Sequence, residues 1–248
     1  MRVSSNIHLV ASGTSGVSLT DALDCNVWLV ETGEGLLLFD TGAGRDIAAV
    51  LAELTATGLN PCDLRHIFLT HAHADHSGGV AGLLEHLPAG VTVYAGQEAA
   101  ARMASGDERA ISLDTARRLG VYPPDYRWRG AIVDVVLQDD AVVTVGDASI
   151  RLLETPGHSD DHCSFLVTAG ESTMLISGDA VFANGKVILQ DIPDCSVSKT
   201  LASLRRLSLV PFETFLPGHG LFSLRDGARH VVRGREFADS GLAPPSFF

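Results

Sequence analysis

The chain has 248 residues, 46% hydrophobic and 19% charged, which is enough apolar material for a sizeable core and excludes a disordered segment. A formal net charge of -12 argues against nucleic acid as the main target, because a phosphate backbone calls for a basic face. Residues 1–19 are interrupted by Ser, Asn, His and Gly, and no run reaches the roughly 18 apolar residues of a membrane helix, so we expect a cytoplasmic protein with no membrane partner.

In chain order, 7–11, 25–31 and 35–40 read as short strands. The run Gly35-Leu36-Leu37-Leu38-Phe39-Asp40 is continuously apolar up to Asp40, as suits a strand buried on both faces. Residues 45–57 read as a helix closed by Gly58 and Pro61. A short apolar run, 66–69, delivers the chain to His71; 77–87 reads as a helix stopped by Pro88, and 91–95 as a strand. The stretch 97–120, rich in Ala, Arg and Glu, predicts two helices, followed by the aromatic, irregular segment 121–128. We expect one domain over 1–248, or two intimate halves, with a helical cap inserted at about 97–130; an ordinary connecting helix pair is the alternative. Further strands are expected at 142–145, 149–154, 164–168, 173–177, 187–189 and 213–216, and helices at 198–207 and about 224–239. Strands followed by helices, twice over, predict two packed sheets flanked by helices.

The chemistry concentrates in His71-Ala72-His73-Ala74-Asp75-His76, three imidazoles and a carboxylate directly after an apolar strand. Zinc and similar cations take these donors. A solvated surface loop is a poor alternative, since Leu69-Thr70 and Gly78-Gly79 place the segment at the end of a core strand. Three later segments each bring one ligand type just past an expected strand, with Gly adjacent: Pro156-Gly157-His158, Ser177-Gly178-Asp179 and Pro217-Gly218-His219-Gly220. Of the remaining histidines, His162 could line a pocket near His158, although we read it as a solvent-facing loop residue after Asp160-Asp161. Cys25, Cys62, Cys163 and Cys195 form no CxxC pair and are expected to be free thiols.

The series His-x-His-x-Asp-His, Gly-His, Gly-Asp, Gly-His, with Phe39-Asp40-Thr41-Gly42 upstream, resembles the metallo-β-lactamase superfamily. The resemblance implies an α/β fold, a four-layer αββα sandwich. It also implies a centre of two divalent metal ions, Zn2+ with Mn or Fe as substitutes, in which His71, His73 and His158 bind the first and Asp75, His76 and His219 the second. Asp179 would bridge them, and Asp40 would support the metal loop from behind the ligands. Asp179 disfavours antibiotic hydrolysis, because β-lactamases of this fold commonly carry Cys or Ser there. The pattern is similar to glyoxalase II, to lactonases and related nucleases, and to mononuclear iron persulfide dioxygenases.

The expected activity is hydrolysis of a small-molecule ester, thioester or lactone by a metal-bound hydroxide, since a metal lowers the pKa of its water from 15.7 to about 7. Asp75 would orient the nucleophile and pass a proton to the leaving group. The alternatives are a phosphodiesterase or ribonuclease type of metallo-hydrolase and a persulfide dioxygenase-like enzyme. Tyr122, Tyr126, Trp128, His162 and Phe182 are candidates for the substrate pocket, with the aromatics of the cap equally able to serve packing alone. The oligomeric state, a homodimer among the options, stays open.

Overall fold

The computed structural model describes residues 1–247. The chain divides into two compact units, Met1–Leu137 and Gln138–Phe248.

In the first unit, the strands are β1 (Ile7–Ala11), β2 (Val27–Thr32), β3 (Gly35–Phe39), β4 (Leu64–Leu69), β5 (Thr92–Gly96) and β6 (Val135–Leu137). They form one sheet in that order. β1 to β3 pair antiparallel; β3 to β6 pair parallel. The apolar runs foreseen for β3 and β4 become its inner strands, and Phe39, Phe68 and Leu69 are fully buried. Helix α1 (Ile47–Ala56) starts where Asp46 accepts the Ala49 N–H at 2.9 Å, an N-cap that satisfies one of the unpaired first-turn amides. One turn, α2 (Ala74–Ser77), lies inside the histidine segment; α3 (Val80–His86) follows it, and α4 (Gln97–Ser105) and α5 (Leu113–Arg118) make up the helical part of the expected cap. The buried cluster of this unit runs from Val10 and Leu29 through Leu69 and Val93 to Tyr122, Tyr126 and Trp128, so the 97–130 region is packed into the unit's own core.

The second unit has the sheet order β11-β10-β9-β8-β7, built from β7 (Val142–Val145), β8 (Ala148–Glu154), β9 (Cys163–Ala169), β10 (Ser172–Gly178) and β11 (Thr214–Pro217). Only the β10–β11 pairing is parallel. Along β8, Ala148, Ile150 and Leu152 are buried while Ser149 and Arg151 are half-buried, the period-2 pattern of a sheet with one face covered. Helices α6 (Val197–Leu207) and α7 (Ala228–Asp239) pack on this unit, with Leu204, Leu207 and Val231 in its core beside Leu175 and Phe215.

A mixed α/β chain with two sheets and flanking helices agrees with the expected fold class. Three local expectations are corrected. Residues 187–189 form a single bridge, Val187 to Ser246, in place of a strand. The last helix begins at Ala228, since Asp226 takes a left-handed φ of 51° just before it. β6 was not foreseen; its three residues are too short to show a period. Among the described residues the four cysteines are free thiols, and no helix is long and apolar enough to cross a membrane.

Candidate functional site

In the first unit, β3 and β4 run parallel with Phe39 beside Phe68, so the turns after them, Asp40-Thr41-Gly42 and Thr70-His71, leave the sheet at the same end. Asp40 is buried and adopts φ 60°. Its carboxylate accepts the Thr70 N–H at 2.8 Å, the Thr70 hydroxyl at 2.9 Å and the His76 Nδ1–H at 2.8 Å. With its proton committed to Asp40, the Thr70 hydroxyl oxygen accepts from His71 Nδ1 at 3.0 Å. Both rings are thereby fixed as Nδ1–H tautomers, and Nε2 of each is the nitrogen whose lone pair could meet a metal ion.

His71, His73 and His76 converge. The His71 ring centroid lies 4.7 Å from that of His73 and 4.2 Å from that of His76, and all three side chains are buried. Asp75 Oδ2 lies 3.7 Å from His76 Nε2. Gly79 permits the close approach that holds this turn, for a Cβ there would stand 2.2 Å from the Thr41 carbonyl oxygen.

The aromatic segment reaches this loop through polar tips. The Tyr122 hydroxyl donates to Asp75 Oδ1 at 2.9 Å, the Tyr126 hydroxyl to the Ala43 carbonyl at 2.8 Å, and Trp128 Nε1–H to Ser77 Oγ at 2.9 Å. Burial, and then the Asp75 charge, push the Tyr122 and Tyr126 hydroxyls well above the usual phenol range, so both stay protonated donors.

Two neighbours went unforeseen. Asp24 accepts the Ala43 N–H at 2.8 Å and the Thr20 hydroxyl at 2.6 Å, and burial raises its pKa. Cys25, Asp40 and His76 bring potential ligand atoms within 4.8 Å of one another, yet burial pushes the Cys25 thiol up to about 12, which keeps it a thiol at neutral pH. Neither had a local sequence signal, because chain-distant packing brings them in.

In the second unit, β8, β10 and β11 end together: Glu154 pairs with Cys163 at the start of β9, and Gly178 with Pro217. The segments carrying His158, Asp179 and His219 therefore leave the sheet at one end. Asp179 Oδ2 lies 3.5 Å from His158 Nε2 and 3.5 Å from His219 Nε2, with all three side chains buried. Gly157 has φ 142°, and a Cβ there would meet the Thr200 amide nitrogen at 2.3 Å, so α6 rests directly on the turn before His158. Phe182 is fully buried, its ring centroid 6.2 Å from that of His219 and 4.6 Å from that of Phe247. His162 is buried, which corrects its reading as a solvent-facing residue.

Each unit thus gathers imidazole nitrogens and carboxylate oxygens at the ends of its strands. The fixed tautomers of His71 and His76 and the carboxylate near both His158 and His219 suit divalent metal binding.

Comparison with known proteins agrees. The model of the metallo-beta-lactamase superfamily matches residues 20–219. The lactamase-like protein vrtG of Penicillium aethiopicum is 33% identical over 196 residues, 79% of this chain and 51% of that protein. An atrochrysone carboxyl ACP thioesterase of Claviceps purpurea is 30% identical over 183 residues, 73% of this chain and 46% of that protein. The chain spans about half the length of the curated relatives it matches. Among solved structures, the metallo-beta-lactamase GOB-18 of Elizabethkingia meningoseptica superposes with a TM-score of 0.71 at 18% identity, over 97% of this chain and 89% of that one, a likeness of fold. By the match over residues 20–219, this chain belongs to the metallo-β-lactamase superfamily.

Proposed function

We propose that this chain is a metal-dependent hydrolase of small-molecule thioesters, with esters and lactones as neighbouring substrate classes. The proposed ligands are the seven residues that the resemblance assigns, with zinc as first candidate and manganese or iron able to replace it. The observation that carries the reading is the Asp40 carboxylate, which through two Nδ1–H tautomers turns His71 Nε2 and His76 Nε2 into ligand atoms. Relatives named as acyl-carrier-protein thioesterases, at 28% and 30% identity, favour the thioester over the lactone. A glutathione-type basic site is less favoured, because Arg229, Arg233 and Arg235 on α7 each pair with an acidic neighbour.

When bound, a divalent metal supplies Lewis-acid polarisation of a carbonyl and an ionised water at neutral pH. The Tyr122 hydroxyl holds Asp75 through Oδ1, and we assign this carboxylate to orient the attacking water. As the carbon–oxygen bond forms and the carbon–sulfur bond breaks, Asp75 takes the remaining proton of the attacking hydroxide and passes it to the leaving sulfur, so that a carboxylate and a thiol are released. Phe182, fully buried, packs beside His219 and Phe247 and so supports the His219 ring from within the core.

The test is elemental analysis of protein purified without added metal, followed by a panel of acyl-pantetheine thioesters, lactones, aryl esters and bis(p-nitrophenyl) phosphate. We expect metal in the protein and chelator-sensitive turnover, fastest with thioesters. No metal and no recovery on adding it would defeat the proposal; turnover of the phosphodiester alone would replace it with the nuclease-type reading.

A further inference from the structure

Asp179 is held not only by its place after β10 but by a buried chain of hydrogen bonds that runs through His162. The Asp179 backbone N–H donates to His162 Nε2 at 2.9 Å. His162 Nδ1 lies 2.9 Å from Thr155 Oγ1, Thr155 Oγ1 lies 2.9 Å from Ser164 Oγ, and the Ser164 hydroxyl donates to the Ser177 carbonyl at 3.2 Å. Both ends of this chain have a fixed direction, since a backbone N–H only donates and a backbone carbonyl only accepts. Nε2 therefore carries the lone pair, and in a neutral ring Nδ1 carries the proton. Nδ1–H donates to the Thr155 hydroxyl oxygen, the Thr155 hydroxyl donates to Ser164 Oγ, and the Ser164 hydroxyl donates to the Ser177 carbonyl. Thr155, His162, Ser164 and Ser177 are all buried. The chain links the end of β8, the loop before β9, β9 itself and the end of β10.

We propose that His162 is the positioning residue for Asp179, working as a neutral Nδ1–H tautomer that the Thr155 and Ser164 hydroxyls fix. The proposal rests on the reading of Asp179 as a metal ligand. The opposite tautomer would set an Nε2–H against the Asp179 N–H, and Asp179 would lose the partner that anchors its backbone beside His158 and His219. His162 was a candidate for the substrate pocket; this arrangement commits both of its ring nitrogens to the protein.

Long-range 1H–15N NMR of the histidine rings, with His162 assigned through His162→Gln, reads the tautomer directly. The wild-type signal should be that of Nδ1–H. Thr155→Val removes the hydroxyl that fixes the proton and nearly keeps the volume. It should lower metal affinity about tenfold or more, as loss of a support behind a ligand does, and alter the visible spectrum of the cobalt-substituted protein. Thr155→Ser keeps the hydroxyl and should restore both; a merely structural role for Thr155 would leave the cobalt spectrum unchanged. An Nε2–H or doubly protonated His162 in the wild type would overturn the proposal. So would a Thr155→Val protein with wild-type metal affinity and spectrum. If Thr155→Val does not fold, the wild-type tautomer decides alone. Wild-type protein that binds no metal would overturn the metal reading instead, and the tautomer would still decide whether the relay exists.

Discussion

The Asp40 carboxylate accepts three donors, and two of them set the tautomers of His71 and His76. Asp40→Asn puts a donor amide where one of these hydrogen bonds needs an acceptor. Metal affinity should then fall by about tenfold to a hundredfold. Competition with a chromogenic chelator measures it, and unchanged affinity would show that the rings need no such support. Asp179→Ala should lower turnover far more than stability. His86→Ala is the control, its ring nitrogen bonded only to the Gly82 carbonyl of its own helix at 2.8 Å; equal kinetic losses in the two would refute the ligand assignment. His230 supplies a pH prediction. Burial, and then the Arg229 charge, hold its pKa below the ordinary 6.5, while Nδ1 accepts the Asn184 N–H and Nε2 bonds Ser223. The unfolded chain gains this proton at higher pH than the folded one. Its contribution is thus fully present above 6.5 and is lost as pH falls from there through the lower folded value. Denaturant titrations should show His230→Gln losing less stability than wild type between pH 7 and pH 5, a window set by the ordinary histidine pKa of about 6.5; parallel curves would contradict this. The ligand types were legible because each stands in a short motif after a strand. Tyr122 was seen as an aromatic but not as the partner of Asp75, 47 positions away, because no local pattern encodes a contact of that separation.

At the scale of elements, the segment 121–128 changes meaning most. Read from sequence, its aromatics line a pocket or pack a cap. Tyr122, Tyr126 and Trp128 are buried and bond Asp75, Ala43 and Ser77, which flank or belong to the histidine loop. Replacing 122–128 with a Gly-Ser linker should lower metal retention after dialysis against chelator, along with thermal stability. Full retention would return the segment to the substrate side. The strands were legible where apolar runs were long, as in β3, β4 and β10. The start of α2 was not, because Ala74-Asp75-His76-Ser77 is one turn whose helical shape depends on tertiary packing, including the bond from Trp128 Nε1–H to the Ser77 hydroxyl oxygen at 2.9 Å.

For the whole molecule, the link between ligand and stability follows from mass action. A cation that binds the folded chain and not the unfolded one stabilises it by about 2.7 kcal/mol at a hundredfold excess over Kd. For a chain of this length each kcal/mol raises Tm by roughly 2–4 °C. Added zinc should therefore raise the midpoint by about 5–11 °C over chelator-treated protein; coincident melting curves would argue against a resident metal. The fold class was legible because the order of strands, helices and ligand motifs runs through most of the chain. Two halves were foreseen as an alternative to one domain, but their boundary was not, since no linker composition marks the passage from Leu137 to Gln138.

The second sheet sends the segments that carry His158, Asp179 and His219 out at one end and its β9–β10 hairpin at the other. Gly170 tips that hairpin with φ 58° and nothing within 4 Å of the position a Cβ would take. That bend is a place to splice in foreign sequence. An epitope or a fluorescent reporter inserted between Gly170 and Glu171 should leave metal content and turnover as they are, whereas the same insert between Gly157 and His158 should abolish both.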